Sequence, residues 1–410
     1  SLDRDTLVAR EEERMDQGTL KRRCDALLDR IVRGSPAVPG VAAVITDRER
    51  DLYRGAAGER VQGDGIPMTT DTVCAIFSCT KAITATVCLQ LWERGLLDLD
   101  APAQEHVPAL GDLQVLEGFD ELGRPELRPP RRPITTRMLL LHTAGFGYDF
   151  FNATYSRLRR AHGQPSVLQA AMASLRTPLL FDPGSRWEYG SSVDWAGQVV
   201  EAVAGRRLGE VMKAEIFEPL GMRSTAFTLD EDMRGRLACV HQRAEDGSLL
   251  ALRDFVLEQD PEVQMGGHGL YSTPEDYAKF IRVWLADGRG PSGPILKRET
   301  VEMAARNGLG ELKIRALPTM NPKVTHTAEF FPGMPKSWAL SFMVNEEEAP
   351  TGRPPGQLAW AGLGNLYFWI DRKNGVGGFW ATQIFPFADP TSVGGYLDLE
   401  TEVYEALAHA

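Results

Sequence analysis

The chain has 410 residues, of which 43% are hydrophobic and 25% charged, a composition that excludes disordered and fibrous proteins and indicates an ordinary globular one. Its 45 basic and 56 acidic side chains give a net charge of -11, which disfavours nucleic acid and anionic membrane surfaces as partners. The five cysteines form no Cys-x-x-Cys pair and the seven histidines are scattered, so we expect free, mostly buried thiols, no metal and no cofactor.

The N-terminal region bears on the compartment of the protein. Residues 1–33 are strongly charged and lack the apolar run of a signal peptide, so we expect a cytoplasmic protein. A leader removed ahead of residue 1 is the alternative, because the chain begins with Ser1-Leu2 and not with Met. Nothing in the sequence determines the oligomeric state.

The first third of the chain contains four recognisable segments. Helical spacing of apolar residues predicts a charged amphipathic helix over 4–33, and two short apolar runs at 40–45 and 52–57 around a polar turn predict an antiparallel hairpin. Residues 80–94 are helical in pattern but apolar on nearly every side, which places this helix in the middle of a domain. The proline-rich and charged stretch 102–134 predicts a surface excursion with a glycine turn.

The remaining elements change from helices to strands along the chain. Helices are expected at 135–142, 165–176, 192–203, 208–217 and 274–286. Strands are expected at 338–345, 358–361, 366–370 and 376–385, with a closing helix at 398–409. Strands at both chain ends predict an α+β fold, in which an antiparallel sheet flanked by the terminal helices carries an additional, mainly helical lobe. We assign 1–75 and 265–410 to the sheet lobe and 76–264 to the helical lobe, with the active site between them.

Ser78 and Lys81 stand at the start of the apolar helix. Residues three apart on a helix share a face, so the Ser78 hydroxyl and the Lys81 amine can meet. Desolvation lowers the pKa of a buried lysine, and the neutral amine can then accept the serine proton without a histidine. The simpler interpretation, a capping serine and a solvated lysine, is disfavoured because the neighbours are apolar and a buried unpaired ammonium is costly. The pair therefore predicts a nucleophilic serine, whose own N–H faces the oxyanion of the substrate.

Several further motifs accompany this pair and together carry a resemblance. They are Ser78-Cys-Thr-Lys81, Leu139-Leu-Leu-His-Thr-Ala-Gly145, Pro183-Gly-Ser-Arg-Trp-Glu-Tyr189-Gly-Ser191, Gly266-Gly-His-Gly-Leu-Tyr-Ser-Thr273 and Trp360-Ala-Gly-Leu363. Over nearly its whole length the chain resembles the superfamily of class C β-lactamases, penicillin-binding proteins and family VIII carboxylesterases. It is also similar to the fungal acyltransferases that act on statin side chains.

The resemblance implies roles for residues around Ser78. Tyr189 would relay the proton between nucleophile and leaving group, although core packing is the simpler interpretation of this side chain. The N–H of Leu363 would join that of Ser78 in the oxyanion hole. Trp360 and Gly362 would border the substrate where lactamases carry Lys-Thr-Gly, and Ser191 stands where they carry Asn. Because Trp360 offers no cation, a neutral ester is favoured over an anionic lactam.

Three other residues lie close to these motifs. Tyr148 and Phe150 follow the Ala144-Gly145 turn and are expected to line an acyl pocket, with a packed loop as the alternative. His142 ends a helix with a core-like leucine face, so we interpret it as a structural residue. A Gly-x-Ser-x-Gly elbow is absent from the sequence, which argues against an α/β-hydrolase.

These observations predict a serine esterase that hydrolyses small carboxylic esters through an acyl-Ser78 intermediate. The alternatives are an acyltransferase with an alcohol or amine acceptor, and a β-lactam or amide hydrolase. A protein of another class is also open, namely a non-enzymatic sensor that is acylated once and stays acylated.

Overall fold

The computed structural model describes residues 16–409. Its strands, in chain order, are β1 (Gly40–Thr46), β2 (Asp51–Gly58), β3 (Cys74–Ala75), β4 (Val115–Phe119), β5 (Pro125–Arg128), β6 (His241–Arg243), β7 (Leu249–Ala251), β8 (Tyr271–Ser272), β9 (Arg289–Gly290), β10 (Gly293–Pro294), β11 (Lys336–Ala339), β12 (Phe342–Asn345), β13 (Leu358–Gly362), β14 (Leu366–Asp371), β15 (Val376–Ala381) and β16 (Ile384–Phe385).

The α-helices, in chain order, are α1 (Gln17–Arg33), α2 (Thr80–Glu93), α3 (Thr136–Leu141), α4 (Ala153–His162), α5 (Met172–Leu175), α6 (Ser192–Ala204), α7 (Leu208–Met212), α8 (Glu218–Leu220), α9 (Glu231–Gly235), α10 (Pro274–Leu285), α11 (Arg298–Ala304) and α12 (Pro390–Ala408). A 3-10 turn over Phe77–Cys79 precedes α2, and a π-helical turn over Lys213–Phe217 joins α7 to α8. Among residues 16–409, no helix combines the length and the apolar character that crossing a membrane requires.

The main sheet is built from both ends of the chain. Seven antiparallel strands pair in the order β11-β12-β13-β14-β15-β1-β2, so that β1 near the N-terminus lies beside β15 near the C-terminus. Successive residues of a strand face opposite sides. Phe379 of β15 stacks on Tyr277 of α10, with ring centres 4.5 Å apart, whereas the indole of Trp380 donates to Ser392 of α12 at 3.1 Å. Helix α10 therefore covers one face of the sheet and the C-terminal helix α12 covers the other. The N-terminal helix α1 packs against β2, so the predicted sheet flanked by terminal helices is confirmed.

The terminal helices α1 and α12 lie against each other as well as against the sheet. Arg23 of α1 forms ion pairs with Glu402 and Glu405 of α12. A Cβ added to Gly395 of α12 would meet the end of the Ile31 side chain at 2.1 Å and the rigid Trp380 ring at 2.6 Å, so glycine allows this close approach. The helix α1 begins after Asp16, whose carboxylate accepts from the N–H groups of Gly18 and Thr19. Residues 4–15 of the predicted N-terminal helix lie outside the described residues.

The helix α2 occupies the centre of the molecule, as its apolar pattern predicts. Every residue from Thr80 to Leu91 is buried, and α6 and α7 pack against the helix. The predicted hairpin at 40–45 and 52–57 is confirmed in β1 and β2. The excursion at 102–134 carries the small hairpin of β4 and β5.

One predicted helix is wrong, and one predicted β-rich segment is divided. The helix expected at 165–176 is reduced to a 3-10 turn over Val167–Gln169 and the single turn α5, because Ala170 between them takes a left-handed backbone with φ of 50°. The segment 338–345 is β-rich as predicted but forms two strands, β11 and β12, because Ser341 with φ of 70° reverses the chain between them.

Other boundaries differ from expectation for local reasons. The strand expected at 376–385 ends at Ala381, since the Gln383 side chain bonds both backbone groups of Ala75 at 3.0 Å and draws the chain away from the sheet. The closing helix begins at Pro390 instead of 398, because Asp389 caps it by accepting from Ser392 N at 3.0 Å. The helix α4 was not predicted, although Asn152 caps it through Tyr155 N at 3.1 Å.

Candidate active site

Ser78 lies in the tight turn that leads from β3 into α2. The preceding residue, Phe77, has a positive φ of 45°, which is strained for a residue with a side chain. Its buried ring packs between Phe255 and Phe385, with ring centres 6.3 and 5.7 Å away, and this packing holds the turn in place. The turn leaves Ser78 half-buried at the wall of a cavity, at the N-terminal end of a buried helix.

Lys81 is one helical turn further on and is fully buried. Its Nζ lies 3.0 Å from Ser78 Oγ, 2.9 Å from Tyr148 Oη and 2.7 Å from the carbonyl oxygen of Gly267. Burial lowers the pKa of Lys81 to about 7, although the negative charge of Asp194 opposes the change. The amine can therefore exist in its neutral, proton-accepting form near neutral pH.

Tyr189 completes the group around the serine. Its buried phenol accepts a hydrogen bond from Trp360 Nε1 at 2.9 Å. Burial raises the pKa of Tyr189, and the neighbouring Ser78 and Trp360 side chains oppose this. The Lys81 Nζ lies 4.7 Å from the centre of the Tyr189 ring. The structure thus brings Ser78, Lys81, Tyr189 and Trp360 together.

The strand β13 approaches the Ser78 turn closely. A Cβ on Gly362 would lie 2.3 Å from the carbonyl oxygen of Ile76, so a larger residue would push the strand away. The next residue, Leu363, lines the same cavity as Ser78. The two residues expected in the oxyanion hole, Ser78 and Leu363, therefore both line this cavity.

Tyr148 has a closer relation to Lys81 than the sequence indicated. It lines the cavity and stacks on Phe150, with ring centres 4.9 Å apart, as expected of a pocket wall. Its phenol also accepts a hydrogen bond from Lys81 at 2.9 Å, and burial raises its pKa well above the ordinary value. Tyr148 is thus a second phenol in contact with the lysine.

The cavity has a volume of about 130 Å³ and is mostly apolar. Ser78, Tyr189 and Trp360 line it, and the other apolar or aromatic lining residues are Phe77, Tyr148, Phe150, Phe151, Val167, Leu168, Leu317, Val324, Ala361, Leu363 and Phe387. Asp149 and Arg159 line it as an ion pair of 2.8 Å. Ser191, by contrast, is buried in the turn before α6 and is not one of the residues that line this cavity.

His142 supports the turn that carries Tyr189. It is fully buried, its Nδ1 accepts from Gly190 N at 3.4 Å, and its ring centre lies 4.8 Å from that of Tyr189. Burial lowers the pKa of His142 well below the ordinary value, so the ring is neutral. Its position agrees with a structural interpretation.

Asp194 and His268 were missed by the sequence reasoning. Asp194 is fully buried on α6, and its Oδ1 accepts from Gly267 N at 2.7 Å. His268 lines the cavity, and its Nδ1 lies 3.8 Å from Asp194 Oδ1. A carboxylate on the apolar face of a helix beside Val193 and Trp195 was a sequence signal for a special role. Within the described part of the chain, no group of three or more His, Cys, Asp or Glu residues is arranged to hold a metal ion.

Comparisons with known proteins place this geometry in context. The family model described as Beta-lactamase matches residues 28–402. The chain is 32% identical over 371 residues to the Monacolin J acid methylbutanoyltransferase of Aspergillus terreus, covering 87% of this chain and 89% of that protein. It is 32% identical over 364 residues to the Lovastatin esterase of Penicillium rubens, covering 84% of this chain and 89% of that protein.

Two solved structures share the fold of this chain. Unliganded Simvastatin Synthase from Aspergillus terreus, as its selenomethionyl derivative, superposes with a TM-score of 0.81 at 30% identity, covering 95% of this chain and 98% of that chain. EstCE1, described as a hydrolase with promiscuous acyltransferase activity, superposes with a TM-score of 0.72 at 21% identity, covering 96% and 100%.

Proposed function

Because the chain belongs to the beta-lactamase family, whose serine enzymes include its acyltransferase and esterase relatives, we propose that it is an esterase that cleaves small carboxylic esters through an acyl-Ser78 intermediate. The α+β fold of this family, which the sequence predicted, is confirmed. The observation that carries the proposal is the 3.0 Å contact between Ser78 Oγ and the buried Lys81 amine, whose pKa of about 7 suits proton transfer near neutrality.

In the proposed mechanism Ser78 Oγ attacks the ester carbonyl carbon while Lys81 accepts its proton. The N–H groups of Ser78 and Leu363 stabilise the oxyanion, and Tyr189 passes a proton to the departing alkoxide. Water then attacks the acyl-Ser78 carbonyl by the reverse sequence and releases the acid. In this proposal the site lies between the two lobes. The sheet lobe supplies Trp360 and Leu363, and the helical lobe supplies Ser78, Lys81 and Tyr189.

A neutral substrate is supported by the lining of the cavity. The residue at the position of the lactamase lysine is Trp360, and its N–H is already bonded to Tyr189 at 2.9 Å. Arg159, the one arginine or lysine among the lining residues, is paired with Asp149 at 2.8 Å. Among residues 16–409, the cavity thus offers an anionic substrate no uncompensated cation, and this disfavours the lactam alternative.

Acyl transfer to an alcohol is the second candidate. It is favoured by the relatives named as methylbutanoyltransferases, which match most of this chain at 31% to 32% identity. The first half-reaction, acylation of Ser78, is common to both candidates, and the acceptor of the acyl group distinguishes them.

We also propose that the protein works in a reducing compartment, because the described cysteines are unpaired and four of the five are buried.

The test is to replace Ser78 and to follow the acyl group. We expect Ser78→Ala to lose hydrolysis of p-nitrophenyl butyrate. It should also lack the butyryl adduct that we expect mass spectrometry to detect on the Ser78-containing peptide of the wild-type protein. Ser185→Ala, at an exposed serine outside the cavity, is the matched control and should keep both. Unchanged ester cleavage by Ser78→Ala would refute the proposal. Product partitioning between water and added alcohol separates esterase from transferase, and an adduct that never turns over indicates the sensor.

A further inference from the structure

Asp194 is a buried carboxylate to which the mechanism above gives no role. It lies on α6, five positions after Tyr189 in the chain, and its side chain is fully buried. Its Oδ1 accepts from Gly267 N at 2.7 Å, whereas its buried Oδ2 has no hydrogen-bond partner among residues 16–409. A buried carboxylate with an unsatisfied oxygen costs free energy, so its presence beside the active site calls for a compensating role.

Gly267 connects Asp194 to Lys81. Its N–H donates to Asp194 Oδ1, and its carbonyl oxygen accepts from Lys81 Nζ at 2.7 Å. The neighbouring carbonyl of Gly266 accepts from Thr84 Oγ1 on α2, also at 2.7 Å. The two-glycine segment is therefore clamped between α2 on one side and α6 on the other.

The glycines are required because the clamp leaves no space for side chains. A Cβ on Gly267 would lie 2.7 Å from Asp194 Oδ1, and one on Gly266 would lie 2.9 Å from the carbonyl oxygen of Val193. Asp194 Oδ1 is thus in direct contact with the backbone of Gly267, whose carbonyl oxygen accepts a hydrogen bond from the Lys81 amine. A shift of its side chain would move one of the three acceptors that hold Lys81.

The charges around Asp194 single out Lys81 as its counter-charge. Tyr148 and Tyr189 also face this region, and burial raises the pKa of both phenols, so they are neutral. His268 faces Asp194 with Nδ1 at 3.8 Å, but burial and the Lys81 charge lower its pKa to about 3, so it is neutral too. Burial raises the pKa of Asp194 to about 6, and the Lys81 charge opposes that change.

We infer that Asp194 is a positioning residue of the reaction: it holds the Gly267 carbonyl against Lys81 and supplies the negative charge that balances the Lys81 ammonium in a dry site. The role extends the proposed function and rests on it. A purely structural Asp194 would support folding alone and would leave the titration of Lys81 unchanged.

The test compares the pH dependence of kcat/KM for an aryl ester in two variants. Asp194→Asn keeps an oxygen for Gly267 N but removes the charge, so the Lys81 ammonium loses its partner and releases its proton more readily. The acidic limb of the profile, which lies near pH 7 if Lys81 controls it, should move to lower pH by about one unit or more. Asp276→Asn is the matched control, because Asp276 is also a buried carboxylate but bonds Ser224 N and Thr225 Oγ1 instead of the Lys81 region. We expect Asp276→Asn to leave the acidic limb of the kcat/KM profile at the same pH as in the wild type.

Several outcomes would overturn the inference while leaving the proposed function intact. One is an acidic limb of Asp194→Asn that coincides with the wild type while acyl-Ser78 still forms, and another is an equal shift in Asp276→Asn. If Asp194→Asn does not fold, the smaller neutral variant Asp194→Ser should show the same displacement, and an unmoved limb there refutes the role equally. Absence of any acyl-Ser78 in the wild type would instead refute the proposed function itself.

Discussion

The hydrogen bond between Trp360 and Tyr189 allows a quantitative prediction. Trp360 Nε1 donates to the Tyr189 phenol at 2.9 Å, while the indole ring packs edge-on against Tyr189 with ring centres 4.9 Å apart. Trp360→Phe keeps an apolar wall of similar shape but removes the N–H. If the Tyr189 oxygen gains negative charge as it gives its proton to the leaving group, the lost bond is of the charged kind, worth about 1.5 to 3 kcal/mol.

That free energy corresponds to a fall in the acylation rate of about 10- to 150-fold, since about 1.4 kcal/mol is a factor of ten. The assay is the second-order rate constant for acylation of Ser78 by an alkyl ester, whose alkoxide is a poor leaving group, followed by the release of the alcohol in the pre-steady state. The loss should lie mainly in kcat/KM for esters of poor leaving groups, which need the proton most. The melting temperature, measured in parallel, should fall only slightly because the aromatic packing is retained.

A double-mutant cycle decides whether the bond acts as described. In the Tyr189→Phe background there is no phenol for Trp360 to bond, so Trp360→Phe should there change the acylation rate by less than about threefold. Equal rate losses in the two backgrounds would show that Trp360 acts through packing and would refute the reasoning. An unchanged rate for the single variant Trp360→Phe would refute it as well.

Two further predictions concern the cavity and the core. Leu168 lines the cavity but is 38% exposed, so Leu168→Ala should raise kcat/KM for long or branched acyl esters relative to acetate esters, with little loss of stability. Leu122→Ala, at an exposed residue outside the cavity, is the control. If the dependence of kcat/KM on acyl length is unchanged in Leu168→Ala, the assignment of Leu168 to the acyl-binding wall is wrong. Glu400 and Arg353 form a buried ion pair of 2.7 Å, so Glu400→Gln should lower the free energy of unfolding, measured by urea titration, by about 3 to 5 kcal/mol. Glu405→Gln removes a charge from an exposed pair with Arg23 and should lower it by less than about 1 kcal/mol. Equal losses in the two variants would show that burial does not set the strength of these ion pairs.

Local patterns predicted the parts of the site that lie close together in the chain. Ser78 and Lys81 are one helical turn apart, so helix geometry alone brings their side chains together, and the apolar neighbours indicated that the lysine is buried. The same holds for the sheet, because short apolar runs bounded by turn residues identify β1, β2 and β13 to β15. These strands were assigned to within one or two residues at each end, apart from the C-terminal end of β15.

The contacts that the sequence could not reveal join distant segments. Tyr148 reaches Lys81 only because the chain turns after α3, and no period in the sequence encodes that direction. Asp194 meets Gly267 because α2 and α6 pack around the two-glycine segment, which is a property of the packed interior. The missed turns at Ala170 and Ser341 have the same origin, since a non-glycine residue with positive φ is imposed by tertiary packing against its local preference.

The strand β1 has consequences for how the chain assembles. Ala42 of β1 pairs with Ala381 of β15, so this edge of the N-terminal hairpin has no partner until almost the whole polypeptide has been synthesised. During that time the hairpin exposes unsatisfied backbone groups that can pair with another nascent chain. Such long-range closure slows folding, and it makes the yield of native enzyme sensitive to growth temperature and to chaperones that shield open strand edges.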